Sequence, residues 1–263
     1  MSDILEDFYL EQYYDGEGFW TPDPVHAAEL AQSVNCPSIS QSAPDLLASP
    51  PVDTFLYRFL TEALKAYYKN PAYIWTPQFQ RQGTCVGQGS KLGCDIVEAI
   101  NSLLYGTTFA GRFAVAGMYA GSRVQIAKRP GTWQGSNASW VADLVMRFGC
   151  LRLKDINLDD EAKDQDEALA LKWCANQQGI PNDFLSPMHA IIIKDAPAVK
   201  SAFEAAKSIQ NGNPVIHGSN LIPTGKRKSD GSSPVQKAGG HLTILTACRW
   251  NSDDTLNGLL YQN

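Results

Sequence analysis

Between residues 53 and 210 apolar side chains recur at helical spacing, and from Asn213 onward they fall into short runs of β type. A chain that places its helices first and its antiparallel strands second is confined to α+β folds with segregated halves. Phe55, Phe59, Leu60 and Leu64 predict an amphipathic helix over 53–69, with Asp53 as N-cap and Pro71 as its stop. Further helices are expected over 86–105, about 112–127, about 139–148 (Ser139 as N-cap, Gly149 as stop), about 165–178 and about 196–210. Strands are expected over 214–217, over 241–250 and at 259–262. A polar loop, 223–240, separates the first two and the turn 251–254 separates the last two.

The first fifty residues differ in kind. They hold nine acidic residues and no Lys or Arg, leaving +4 for the remainder of a chain whose net charge is −5. Five prolines, with Pro51 directly after, favour irregular structure, yet Phe8, Tyr9, Tyr13, Tyr14, Phe19 and Trp20 are too many aromatics for a freely solvated tail. Residues 1–52 therefore read as an arm buried against the chain's own body or against a neighbouring subunit. The short basic stretch Lys226-Arg227-Lys228 reads as loop solvation, and with no concentrated basic face a nucleic-acid partner is not expected. No apolar run approaches the ~18 residues that cross a bilayer, so no membrane partner is expected. The acidic N-terminus lacks signal-peptide character, which predicts a cytoplasmic setting. At 263 residues and 44% hydrophobic, the chain is long enough for one or two packed domains. Its cysteines (36, 85, 94, 150, 174 and 248) form no CxxC pair, so no metal site is expected.

Chemistry concentrates at two places. Cys85, in Gly83-Thr84-Cys85-Val86-Gly87, stands where a loop meets a helix. The partial positive charge and open N–H groups of a helix N-terminus stabilise a thiolate and lower its pKa. Gly83 and Gly87 would let a substrate approach the backbone. His241 follows Gly239-Gly240 and opens the long strand, where flexible backbone would give a substrate access to its ring. Asn263 ends the return strand, so its carboxamide is expected beside His241, fixing the tautomer of the imidazole. His217, on strand 214–217, reads as a half-buried strand residue or as a wall of the substrate pocket.

Cysteine, histidine and asparagine in this order, separated by 156 and then 22 residues, resemble the papain-like (C1) cysteine peptidases. The likeness is to the phage and bacterial branch, where a Gly-Thr-Cys-Val-Gly motif stands in place of Cys-Gly-Ser-Cys-Trp. It extends to Tyr119-Ala120-Gly121-Ser122-Arg123, Gly212-Asn213-Pro214-Val215, Gly240-His241 and Leu259-Leu260-Tyr261-Gln262-Asn263, spread over roughly 75–263.

The resemblance implies a papain-like two-lobed α+β fold. A helical lobe would cover about 53–210 and an antiparallel β lobe about 211–263, with an extended N-terminal arm at 1–52. It implies Cys85 as nucleophile, His241 as general base and acid, and Asn263 as the residue that orients His241. It also implies a glutamine donor to the oxyanion. The family places it six residues before the cysteine, where this chain has Phe79, so Gln80 and Gln82 are the candidates. Gly83, Gly240 and His217 would line the substrate site. The substrate would be a peptide or protein, and no cofactor is implied.

The alternative is a catalytically inactive papain-like protein, structural or binding, in a phage capsid or tail, with virion subunits contacted through the arm. The shifted glutamine favours it. So do the end of the sequence at Asn263, where the family continues Ser-Trp-Gly, and the lack of a recognisable pro-peptide. Matching Gln82-Gly83-Thr84-Cys85 to papain's Gln-Gly-Ser-Cys would put Gln88 at the nucleophile position and leave the protein inert. Elsewhere, His189 reads as structural, His26 as part of the arm, and Cys94, Cys150, Cys174 and Cys248 as small hydrophobes. Asp159-Asp160-Glu161 reads as a solvated acidic loop, and Trp140 and Trp250 as core.

Overall fold

The computed structural model describes residues 43–76, 83–132, 135–160, 162–191, 193, 196–197, 199–223 and 235–262. The readings made above for His26, Cys36, Gln80, Gln82, Glu161, Lys226-Arg227-Lys228 and Asn263 lie outside these residues.

The helical half begins with α1 (Pro44–Ala48) and α2 (Tyr57–Tyr67). The first long helix starts later than the sequence predicts. Residues Thr54–Phe55 form a short strand, β1, and Asp53 accepts the backbone N–H of Trp250 at 2.8 Å, so it serves the sheet and caps no helix. The central helix α3 runs Cys85–Tyr105 and closes on Gly106 in the left-handed region, φ +70. Next comes α4 (Val115–Gly121), which loosens into a π-helical turn over Ser122–Ile126. Then α5 (Ala138–Arg147) is capped by Asn137, whose side chain accepts from the N–H of Ser139. The cap therefore falls two residues before the expected Ser139. It is followed by α6 (Lys163–Ala175), α7 (Leu185–His189) and α8 (Ala202–Gln210), the last capped by Ser201.

Three antiparallel strands complete the chain: β2 (Val215–Pro223), β3 (Val235–Trp250) and β4 (Leu256–Gln262). β3 is the spine. It pairs with β2, with β4, and through Cys248 and Ala247 with β1. The expected polar loop is shorter at both ends, because Leu221↔Lys237 through Pro223↔Val235 extend the hairpin outward. His241 is therefore an interior residue of a long strand and does not open it.

Apolar burial is divided among three groups. One lies between α2, α3, α8 and the sheet, built from Leu60, Leu64, Ile96, Ile209 and Ile244. A second joins α4, α5 and α6 through Tyr119, Leu144, Leu151 and Trp173. The third surrounds Cys85 with Val86, Phe113, Met118, Val141 and Leu242. Trp140 is core as expected, and Trp250 is half-buried at the edge of the sheet. Cys150, Cys174 and Cys248 are buried. The final part of the expected arm is fastened to α8. Gln210 donates to the Pro50 carbonyl at 2.6 Å and accepts from the Val52 N–H at 3.1 Å, and Lys207 donates to the Ser49 carbonyl. Among the described residues no helix is long and apolar enough to cross a membrane.

Candidate active site

Cys85 is the first residue of α3, with Thr84 in the N-cap position. What holds that end of the helix is an acidic pair on α6. Glu167 accepts a hydrogen bond from the Thr84 hydroxyl at 2.6 Å and another from the Gln88 side-chain amide at 3.0 Å, so one carboxylate bridges the residues on either side of Cys85. Its neighbour Asp166 accepts from the backbone N–H groups of Val115 and Ala116, both at 2.8 Å, and so caps α4. Two consecutive acids thus satisfy donors at the N-terminal ends of two helices, where negative charge is favoured.

The same face of α3 continues inward with Lys91, Asp95 and Glu98. Asp95 pairs with Arg112 at 2.9 Å and accepts the N–H of Phe113 at 2.8 Å. Glu98 pairs with Arg152, whose guanidinium also lies over the Phe113 ring, 4.6 Å from its centroid. Burial pushes the Lys91 ammonium down and Arg112 adds to that, while Asp95, Asp166 and Asp160 oppose it. Asp160 lies 3.9 Å from Arg112 and accepts from the Tyr68 hydroxyl, so this part of the expected solvated loop belongs to a half-buried network. Tyr119 and Arg123, from the motif singled out in the sequence, have a packing role. Arg123 lies over the Tyr119 ring and donates to the carbonyls of Arg129 and Gly131, closing the loop after the π-helical turn.

The opposite face of α3 meets β3. A Cβ on Gly89 would lie 2.8 Å from Cδ2 of Leu242, so the absence of a side chain there sets how closely helix and strand approach. This contact puts Cys85 and Leu242 in one buried cluster. The backbones of Leu242, Val86 and Cys85 itself favour the thiolate, but burial outweighs them. The thiol is fully buried and its pKa is pushed up to about 11, the same value as Cys174, a core thiol of α6. The lowered thiol pKa expected from the helix N-terminus is therefore corrected: with water excluded, the desolvation of the charged sulfur exceeds what the N–H groups return.

His241 is buried, at 4% exposure, and stands just after an irregularity in β3. Ser219 pairs with His241 and Leu221 with Lys237, so β3 carries two more residues than β2 across this interval. The interval includes Gly239 and Gly240, which form part of a bulged strand where the sequence predicted a loop end. A bulge re-aims the side chains beside it. Gly83 is buried in the bend before α3. His217 pairs with Thr243 in the sheet and is half-buried, with its ring edge-on to Tyr261 at 5.5 Å. Burial lowers its pKa. His189 is exposed and stacks on Phe148. Glu167 is not picked out by sequence reading, and Thr84 and Gln88 enter it without this bridging role. The signal available was an acidic pair followed by the apolar run Ala168-Leu169-Ala170-Leu171, a poor context for a solvated face. No group of residues that could hold a metal ion is present among the described residues.

No family model matches this chain, and no curated protein matches it. Among solved structures it is similar to xylellain, a cysteine protease from Xylella fastidiosa. The TM-score is 0.58 at 11% sequence identity, over 93% of this chain and 83% of that one. A procathepsin B from Trypanosoma congolense aligns with a TM-score of 0.46 and 9% identity, over 96% of this chain and 81% of the other. At such identity the likeness to xylellain is one of architecture, and it shows an α+β fold of the papain-like type, with helices and an antiparallel sheet meeting along α3 and β3.

Proposed function

We propose that this chain is a papain-like, thiol-dependent hydrolase of peptide or amide bonds. Cys85 is the nucleophile, His241 its general base and acid, and Asn263 the residue that orients His241. The observation that supports this most is the placement of Cys85 at the N-terminus of α3 in one buried cluster with Leu242, the residue that follows His241. In this reading the thiolate attacks the substrate carbonyl carbon while His241 holds the thiol's proton. The resulting oxyanion is met by the Cys85 N–H and by a glutamine donor, Gln80 or Gln82. His241 then passes the proton to the departing amine, leaving a thioester that water cleaves by the reverse sequence of proton transfers.

A second reading has its own support. A fully buried thiol with a pKa of about 11 suits an inert papain-like scaffold, and the motif around Cys85 would then place the chain in a phage particle. Alkylation by iodoacetamide from pH 5 to pH 10, with each cysteine followed by mass, separates the two. A working site labels Cys85 within minutes at pH 6, on a plateau lost in His241→Ala, and Cys85→Ser abolishes hydrolysis of a fluorogenic peptide mixture. An inert site shows negligible labelling at pH 6. Its rate climbs tenfold per pH unit, because the thiolate fraction at pH 7 is only about one in ten thousand. That second profile would sink the peptidase reading.

A further inference from the structure

Two other thiols face each other beneath the candidate site. Cys94, on α3, has its sulfur 3.9 Å from that of Cys150, which is 56 residues away in sequence and opens the segment after α5. Both are free thiols, Cys150 is fully buried and Cys94 is partly open. Their surroundings hold them in place. Cys150 is anchored by its N–H to the Ile191 carbonyl at 2.9 Å, and Cys94 rides a helix braced by the ion pairs of Asp95 and Glu98 on the residues just beyond it. Two sulfurs in van der Waals contact on ordered backbone need only a side-chain rotation and a small approach to reach bonding distance.

We propose that Cys94 and Cys150 form a latent disulfide, closed by a two-electron oxidant of the peroxide class and reopened by a dithiol. Cys94, the less enclosed residue of the two, reacts first, through its minor thiolate fraction. Its thiolate sulfur attacks a peroxide oxygen, the O–O bond breaks, and a sulfenic acid forms with loss of one water. The Cys150 sulfur then attacks the Cys94 sulfur, the S–O bond breaks, and the leaving hydroxide takes the Cys150 proton as a second water. Two thiols are oxidised and one peroxide is reduced. The hydrogen bond with Cys150, burial and the charges of Asp95 and Glu98 keep the Cys94 thiol protonated, so closure is slow and the dithiol persists in reducing surroundings. The bond would tie α3 to the turn after α5, and it does not depend on any role for Cys85.

The full chain is incubated with hydrogen peroxide at pH 8, alkylated and digested with trypsin. Cleavage isolates Cys94 in peptide 92–112, Cys150 in 148–152 and Cys85 in 82–91. The expected product is the 92–112/148–152 pair, lighter by two hydrogens than the separate peptides. It accumulates over hours, disappears with dithiothreitol, and is accompanied by a rise of about 5–15 °C in melting temperature. Cys94→Ser and Cys150→Ser each abolish the cross-link and the shift. The proposal is overturned if peroxide carries either sulfur to the sulfinic acid without cross-linking, or joins it mainly to another cysteine. It is equally overturned if both thiols remain unchanged after a day.

Discussion

Replacing Glu167 by alanine tests how the candidate nucleophile is held. The carboxylate is buried, at 2% exposure, and bridges Thr84 and Gln88 across the first turn of α3. Hydrogen bonds to a charged acceptor contribute about 1.5–3 kcal/mol each, and a buried donor left without a partner costs about 1–3 kcal/mol. Both the Thr84 hydroxyl and the Gln88 amide are buried, so Glu167→Ala is expected to destabilise the fold by about 3–5 kcal/mol. At about 2–4 °C per kcal/mol for a chain of this size, the melting temperature falls by roughly 6–20 °C. Glu167→Gln keeps a carbonyl acceptor in the same place and costs about 1 kcal/mol. Differential scanning calorimetry reads the stabilities, and alkylation of Cys85 reads the local effect. Glu167→Ala should speed Cys85 labelling at fixed pH by releasing its turn, with Glu167→Gln close to the wild type. A double-mutant cycle with Thr84→Val should recover a coupling of about 1–2 kcal/mol. The reasoning fails if alanine melts within a degree of the wild type, or if alanine and glutamine are equivalent.

Two further outcomes follow from the geometry. Gly149→Ala should lose about 3 kcal/mol in guanidinium unfolding, because φ is +87 and the new Cβ would collide with the backbone carbonyl oxygens of Met188 and Ile191. The His217 imidazole titrates below its ordinary value of 6.5 in the folded chain because burial disfavours its charge. The unfolded chain therefore takes up this proton first, and the contribution of His217 to stability is intact above pH 6.5 and lost as pH falls below it. His217→Phe, which keeps a ring against Tyr261, should flatten that acid limb of melting temperature against pH. The difference should be only about 1–2 °C, since the group is half exposed. A steeper acid limb in the variant would reverse the assignment.

The order of elements was legible because periodicity is a local property. The stripe of Val97, Ile100 and Leu104 gave α3 to within a residue of its ends, and the alternation after Asn213 gave the hairpin. Boundaries that depend on tertiary partners were not. Asp53 looks like an N-cap until β3 supplies the Trp250 N–H for it to accept. Residues 235–240 look like a loop by composition, and become strand because β2 extends to meet them. The polar stripe of α3 is the clearest case. Gln88, Lys91, Asp95 and Glu98 have the spacing of a solvent-facing stripe, yet their partners Glu167, Asp166, Arg112 and Arg152 arrive from other segments. The position of Cys85 at a helix start was readable, whereas its protonation state was not, since that depends on how completely Leu242 and its neighbours exclude water.

The bracing of α3 decides which part of the molecule can move. Ion pairs and shared carboxylates fasten one side of this helix to α6 and to the segments before α4 and after α5, so sliding or tilting it would strip several buried charges of their partners at once. The other side rests on β3 through Gly89 and Leu242, an apolar contact. Any opening that lets a bulky reactant reach the sulfur is therefore cheapest on the strand side, with the bulge ahead of His241 as its natural hinge and the helix as the fixed post.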